Sequence, residues 1–423
     1  MNGASPEPAL DPRPEILAEI RERGPMPFAR YMDLCLYHPR WGYYTRGVGG
    51  GGGRDYLTSS GLHGVLGILV ARQAEEMWRR LGRPKRFDFV EFGPGEGQFA
   101  RDFLEAARGR AGFAASLRYV LVEPSPALAA RQAARLATGS VAAASRTLED
   151  LEREGSRAGC LFANEVLDAF PVHRVIGTPD GPREVHVTAA PPGGLEEILL
   201  PLSDGTVSRF LEEAGIALED GQEVDLNLEA ALFVKRVARL LSRGYLILVD
   251  YGYEARELYD PARRRGTLRA YYQHRINEEF LLRPGDQDLT AHLDFTSLRK
   301  AGHAAGARCL GLTTQSRFLL ALGALDLLPD PDGKEAPPAR DGRRPSGGAR
   351  AADWLARFGQ REALKEVVLP GRMGERFQVM ILGVGNPPDD LTGLADPWTV
   401  QGAGGSATRP MSGRAPMSLG EQR

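Results

Sequence analysis

Residues 87–97 read Phe-Asp-Phe-Val-Glu-Phe-Gly-Pro-Gly-Glu-Gly, an apolar strand that closes on the acid Glu91 and runs into alternating glycines. With no Cβ at Gly93, Gly95 or Gly97, the backbone can come within van der Waals distance of a bound nucleoside. The helix expected next, from Phe99 to Ala107, offers its unpaired N–H groups to the same space. A pyrophosphate-binding G-x-G-x-x-G loop needs its third glycine at position 98. Here position 98 is Gln, and the glycine falls at 97. A second apolar strand, Arg118-Tyr-Val-Leu-Val-Glu123, again closes on an acid. An acid at that tip, about 20–30 residues past the glycines, is placed to accept hydrogen bonds from both ribose hydroxyls. The blander reading is a generic βαβ turn with Glu123 as a solvated strand end. It weakens because both motifs occur in register.

Further along, Asn164-Glu165-Val-Leu-Asp168 follows a short apolar strand. If a helix begins here, Glu165 and Asp168 face the same way on its first turn. Two carboxylates on one face form a receptor for a planar cation such as a guanidinium. Helix capping is the plain alternative, since Asn and acids favour first turns. Another polar cluster comprises Thr267, Arg269, Tyr271, His274 and the run from Asp288 to Phe295. Within it His292 reads as a base, a hydrogen-bond donor beside the ligand, or a structural partner of Asp288. Tyr31, Tyr37, Trp41, Tyr43, Tyr44 and Tyr56 could face a cation through their rings. Core packing accounts for most of them more simply.

The elements that must position these residues alternate regularly. Strands are expected near 87–92, 118–123, 140–145 and 159–163 with helices between, the pattern of a parallel sheet covered on both faces. Residues 1–84 form an N-terminal helical region, with helices at 14–23, 28–37 and 62–81. Its loop holds five consecutive glycines, Gly49 to Gly53, a surface linker or a hinged lid. Residues 85–170 make the ligand-binding half of the main domain, and 171–227 a small antiparallel insertion punctuated by Pro/Gly turns. The second half, 228–328, carries a helix at 228–241, a fifth strand at 244–250 and a sixth at 309–313. A Pro/Gly/charge linker at 329–350 follows. Residues 351–385 give a helix near 352–366 and a last strand, 377–383, antiparallel at or near the sheet edge. The tail 386–423 is disordered by composition.

The 423 residues carry a formal charge of −2 and 42% hydrophobic residues, enough for a large core and without the basic excess of a nucleic-acid scaffold. Three scattered cysteines fit neither a disulfide framework nor a zinc site, and no metal is implied. The N-terminus has no signal-peptide or presequence pattern. The longest apolar stretch, 318–328, is too short to span a bilayer. These features together imply a cytoplasmic protein with no membrane span.

The glycine register resembles the S-adenosylmethionine (AdoMet) loop of class I methyltransferases. More specifically, several runs resemble the MidA-like methyltransferase family, relatives of the mitochondrial arginine methyltransferase that assists assembly of respiratory complex I. These are 27–44, Val90-Glu-Phe-Gly-Pro-Gly-Glu-Gly97, Val122-Glu-Pro-Ser-Pro126, 163–172, Asp250-Tyr-Gly252, 266–271, 287–295 and Leu369-Pro-Gly-Arg-Met-Gly374. The resemblance covers about residues 14–385 outside the linker. It implies an α/β fold with a Rossmann-like seven-stranded sheet and AdoMet as cofactor. The cofactor-binding residues would be Glu91, Gly93, Gly95, Gly97, Glu123, Asn164, Thr58 and Ser59, and the catalytic ones Glu165, Asp168 and His292. The implied acceptor is an arginine of a partner protein, by analogy a respiratory-complex subunit. An AdoMet-binding assembly factor without robust catalysis and a small-molecule methyltransferase stay open as alternatives. The chain departs from the family pattern in two places. Ser60-Gly61 stands where Pro-Glu is usual, and Glu96-Gly97-Gln98 where Arg/Asn-Gly-Thr is usual.

Overall fold

The alternation of strand and helix becomes a twisted central sheet in the computed structural model, which describes residues 11–46, 63–137, 143–273, 275–327, 364–365 and 373–397. Its seven main strands are β1 (Phe87–Phe92), β2 (Leu117–Val122), β3 (Ala143–Arg146), β4 (Arg157–Asn164), β5 (Leu241–Tyr253), β6 (Ala307–Thr314) and β7 (Phe377–Val384). They lie in the order β6-β7-β5-β4-β1-β2-β3. β7 runs antiparallel to both β5 and β6, one place in from the edge. The other neighbouring pairs are parallel. Strand order reverses beside β1, so the crevice at the carboxyl ends of β1, β2 and β4 is where such a sheet receives ligands.

Every residue of β1 is buried, as a strand covered on both faces must be. On one face Phe87, Phe89, Tyr119 and Phe162 pack against α1 (His63–Arg80) and α2 (Gln98–Arg108). On the other, Val90, Leu161, Leu246 and Leu248 meet α4 (Leu228–Ala238) and α5 (Phe295–Ala304). Between them in sequence, α3 (Pro126–Leu136) follows β2, with Ser125 accepting from Leu128 N at its start. Helices 13–23 and 28–37 form where they are expected.

A second lobe gathers those N-terminal helices, the antiparallel insertion and residues 268–291 around one core that includes Phe28, Tyr31, Trp41, Val185, Val187 and Leu289. The insertion is less local than its sequence implies. Met26–Pro27 adds a short strand to it by pairing with residues 186–187, and it contains a helix, Gly205–Ala214. Residues 269–290 add a three-stranded antiparallel sheet that short, irregular apolar spacing conceals.

Two expectations are corrected. No helix begins at Glu165; the segment after β4 is a loop shaped by the Asp250 carboxylate and followed by Pro171. Nor is the tail disordered from residue 386. Residues 386–397 lie along α1, with Leu391 2% exposed and Gly393 N donating to Gln73 Oε1 at 2.9 Å. Arg308 pairs with Asp389 (2.8 Å), and Tyr245 Oη donates to Pro388 O (3.0 Å). One leucine and a few specific polar contacts hold this strap, which composition averages away. The glycine run, Tyr56, Thr58, Ser59, Ser60-Gly61, His274, the 329–350 linker and the 352–366 helix, apart from 364–365, lie outside the described residues.

Candidate active site

At the tip of β1, Gly93, Gly95 and Gly97 all have left-handed backbone, with φ of 62°, 52° and 78°. For Gly93 the demand is also steric, since a Cβ would sit 2.8 Å from Val166 Cγ2 of the loop after β4. At Gly95 a Cβ would meet open space, so conformation alone calls for glycine there. Gly97 caps α2. Glu123 lies at the tip of β2, 9% exposed, its Oε1 accepting from Ser125 N at 2.8 Å. Burial raises its pKa, and its N–H donors partly oppose that. Gln132 of α3 joins the two halves, with Nε2 donating to Gly95 O (2.7 Å) and to Glu123 Oε2 (3.3 Å). Sequence reasoning passed over Gln132; its only signal is a polar residue on the buried face of an amphipathic helix.

Glu91 is placed differently from the other expected ligand residues. It is 4% exposed inside the strand, accepts from Tyr119 Oη at 2.6 Å, and burial lifts its pKa to about 8. The two unusual loop residues are tied to flanking helices. Glu96 pairs with Arg135 (3.0 Å) and Arg131 (3.5 Å). Gln98 accepts from Arg135 (2.6 Å) and donates to Asp102 (3.0 Å).

The second constellation forms at the tips of β4 and β5. Asp250 Oδ2 accepts from the backbone N–H groups of Val166 (3.3 Å), Leu167 (3.0 Å) and Asp168 (3.3 Å), and its Oδ1 from Tyr251 N (2.8 Å). This wraps residues 165–168 round one carboxylate and holds Glu165 at φ 53°, a conformation costly for a residue with a Cβ. Asn164 Nδ2 donates to Glu165 Oε1 at 3.2 Å. Burial, then the charge of Asp288, raises the pKa of half-buried Glu165 to about 7. Asp168 is pushed well above the usual carboxylate range by burial and by the charges of Asp250, Glu165 and Asp288. Asp250 is also raised, chiefly by burial. Asp288 is 5% exposed and accepts from Tyr44 Oη at 2.7 Å, with Tyr44 stacked on Tyr37 at 5.6 Å. Glu165, Asp168 and Asp250 are thus gathered beside Asp288 with their charged forms disfavoured. Among the described residues, no group of three or more His, Cys, Asp or Glu is arranged to hold a metal ion.

His292 stands beside this cluster between the rings of Tyr251 (6.0 Å) and Tyr253 (5.4 Å). Burial and the charges of Arg263, Arg269 and Arg376 lower its pKa to about 4, so it is a neutral imidazole. Its backbone N donates to Thr267 Oγ1 (3.0 Å), and its Nδ1 is buried without a partner. Tyr31, Trp41 and Tyr43 are core residues of the second lobe. A cavity of about 890 Å³ opens elsewhere in that lobe. Arg174 in its wall is already held between Phe28 and Phe280 and paired with Glu223 (2.6 Å).

An AdoMet-shaped ligand suits the first constellation. The left-handed loop, the ribose-level acid and two buried acceptors without partners, Gln132 Oε1 and Asn164 Oδ1, supply the groups a nucleoside with hydroxyl and amino donors needs. Known proteins agree. A family model described as "Putative S-adenosyl-L-methionine-dependent methyltransferase" matches residues 69–313, and the chain belongs to that family. It is a class I AdoMet-dependent methyltransferase, and AdoMet is its cofactor. A superfamily member from Burkholderia thailandensis, crystallised with S-adenosyl-homocysteine, superposes with a TM-score of 0.77 at 30% identity, covering 90% of this chain and 94% of that one. The mitochondrial protein arginine methyltransferase NDUFAF7 homolog of Drosophila melanogaster is 31% identical across 72% of this chain and 73% of its own length. Human mitochondrial NDUFAF7 is 27% identical across 75% of each. These relatives overturn the cytoplasmic expectation, since those cited are named mitochondrial proteins; a missing leader pattern does not decide the compartment. No helix among the described residues is long and apolar enough to cross a membrane.

Proposed function

We propose that this methyltransferase acts on an arginine side chain of a partner protein. The observation that carries the reading is the gathering of Glu165, Asp168 and Asp250 beside Asp288, where burial and neighbouring carboxylate charge raise the pKa values of the first three. Such a cluster favours an incoming planar cation, which lets the acids ionise and offers them paired N–H donors. The names of the relatives, protein arginine methyltransferases, point the same way.

When bound, AdoMet supplies a methyl group on a positively charged sulfur. Gly93, Gly95, Gly97, Glu123 and Asn164 would hold its nucleoside end. Glu165 and Asp168 orient the guanidinium and exclude water from the reacting nitrogen. As that nitrogen gains carbon it loses a proton. Glu165, with a pKa near neutrality, is the group suited to accept it. His292, neutral and weakly basic, serves as a spacer between aromatic rings rather than as the base.

Radiolabelled methyl transfer into protein tests this directly. Glu165→Gln should slow labelling by about 10²–10⁴-fold while leaving AdoMet affinity nearly unchanged. Equal labelling by the variant, or label recovered only in small molecules, defeats the arginine reading.

A further inference from the structure

Gln132 shows a combination found at no other residue of the crevice described above. It is 0% exposed, sits on α3, and touches both halves of the nucleoside site. Its Nε2 donates to Gly95 O at 2.7 Å and to Glu123 Oε2 at 3.3 Å. Its Cγ and Cα lie 3.4 and 3.6 Å from where a Cβ on Gly97 would stand, so the side chain lies directly against the loop. Yet its Oε1 is buried and has no hydrogen-bond partner. A primary amide that spends both donors on ordering a loop and an acid, and leaves its acceptor unmet, is incomplete as a structural brace. Buried acceptors of this kind are normally satisfied, and one left open beside a ligand crevice calls for a donor from the ligand.

We propose that Gln132 is a nucleoside-positioning residue: its Nε2 clamps the Gly93–Gly97 turn to Glu123, and its Oε1 accepts a hydrogen bond from a ribose hydroxyl of AdoMet. Glu123 is acceptor-only when ionised and has two oxygens, of which Oε1 already takes Ser125 N and Oε2 takes Gln132. Sharing the ribose between a carboxylate and an amide leaves each hydroxyl an acceptor without overloading Glu123. The amide also fixes the direction of Glu123 Oε2 and partly offsets the push of burial toward protonation. Two functions therefore meet in one side chain, and they separate by experiment.

The full-length protein is titrated calorimetrically with S-adenosylhomocysteine and with its 2′-deoxy and 3′-deoxy analogues. Gln132→Met, similar in volume but without the amide, should weaken binding of the parent ligand by about 10–100-fold, the range for losing a buried hydrogen bond with its positioning effect. For the analogue lacking the contacted hydroxyl the loss should be at least several-fold smaller, because that bond is already gone. Equal losses for all three ligands would show a loop brace without ribose contact and overturn the proposal. So would unchanged affinity. Should Gln132→Met not fold, the side-chain amide resonance of Gln132 in the wild-type protein decides. It must shift on adding the parent ligand and shift less with one deoxy analogue; identical shifts with all three reject the contact.

Discussion

At Glu165 a carboxyl group is set near neutrality by its surroundings, and stability and activity should therefore respond to pH in opposite senses. Its ordinary value of 4.5 rises to about 7 in the folded chain. Between those values the folded protein holds a proton that the unfolded chain has released, so stability falls as pH rises through this window and levels off above it. Asp168 shifts in the same direction. Glu165→Gln, which cannot ionise, should be more stable than wild type at pH 8 by about 1–3 kcal/mol, with the difference shrinking toward pH 5. Thermal unfolding at both pH values checks this; a gap independent of pH would assign the titration to another group. The rate should do the reverse. A base must be ionised to take the guanidinium proton, so kcat/KM should climb with pH up to about 7 and then flatten. A bound guanidinium stabilises the carboxylate, which should move the corresponding break in kcat to lower pH.

The glycine turn and the loop after β4 are one unit, because Gly93 and Val166 touch where a Cβ would clash at 2.8 Å. Gly93→Ala meets both that contact and a positive φ, whereas Gly95→Ala meets only the φ. Gly95→Ala should then cost about 1–2 kcal/mol, the left-handed penalty for an L-residue. Gly93→Ala should cost more, and adding Val166→Ala should recover only the steric part. Chemical denaturation of the three variants measures the split; equal cost at 93 and 95 would mean Val166 yields freely. Asp250→Ala removes the acceptor of four backbone N–H groups and should loosen residues 165–168, read as faster amide exchange there. Much of this was legible in the chain. Apolar strands ending on Glu or Asn and alternating glycines are local signals, so β1, β2, β4 and the glycine turn after β1 could be read from spacing. The loop at 165–168 was not, because its shape is dictated by Asp250, 82 residues from Asp168. Gln132 escaped for a similar reason, as its partners come from two other elements.

The whole molecule couples two lobes through that loop: Ala291 N donates to Asp168 O (2.9 Å) and Tyr37 Oη to Ala169 O (3.0 Å). The acceptor carboxylates are therefore assembled by tertiary contact, while the nucleoside crevice is built within the central sheet. On the outside of α1 the 386–397 strap adds a third element whose only evident work is stability, through Leu391 and the Arg80–Asp390 pair (2.5 Å). If this partition is right, energetics at the strap and at the crevice should add independently. Leu391→Ala should lower stability by about 2–5 kcal/mol, as for other buried leucines. It should leave intact the stabilisation from S-adenosylhomocysteine at 100-fold excess over Kd, about 2.7 kcal/mol by mass action. Glu123→Gln should do the converse, changing the ligand-free melting point little and abolishing most of the ligand increment. Melting curves of both variants with and without ligand measure the four values. A reduced ligand increment in Leu391→Ala would show that α1 carries the strap's influence to the crevice, and the two regions would then have to be treated as one coupled unit.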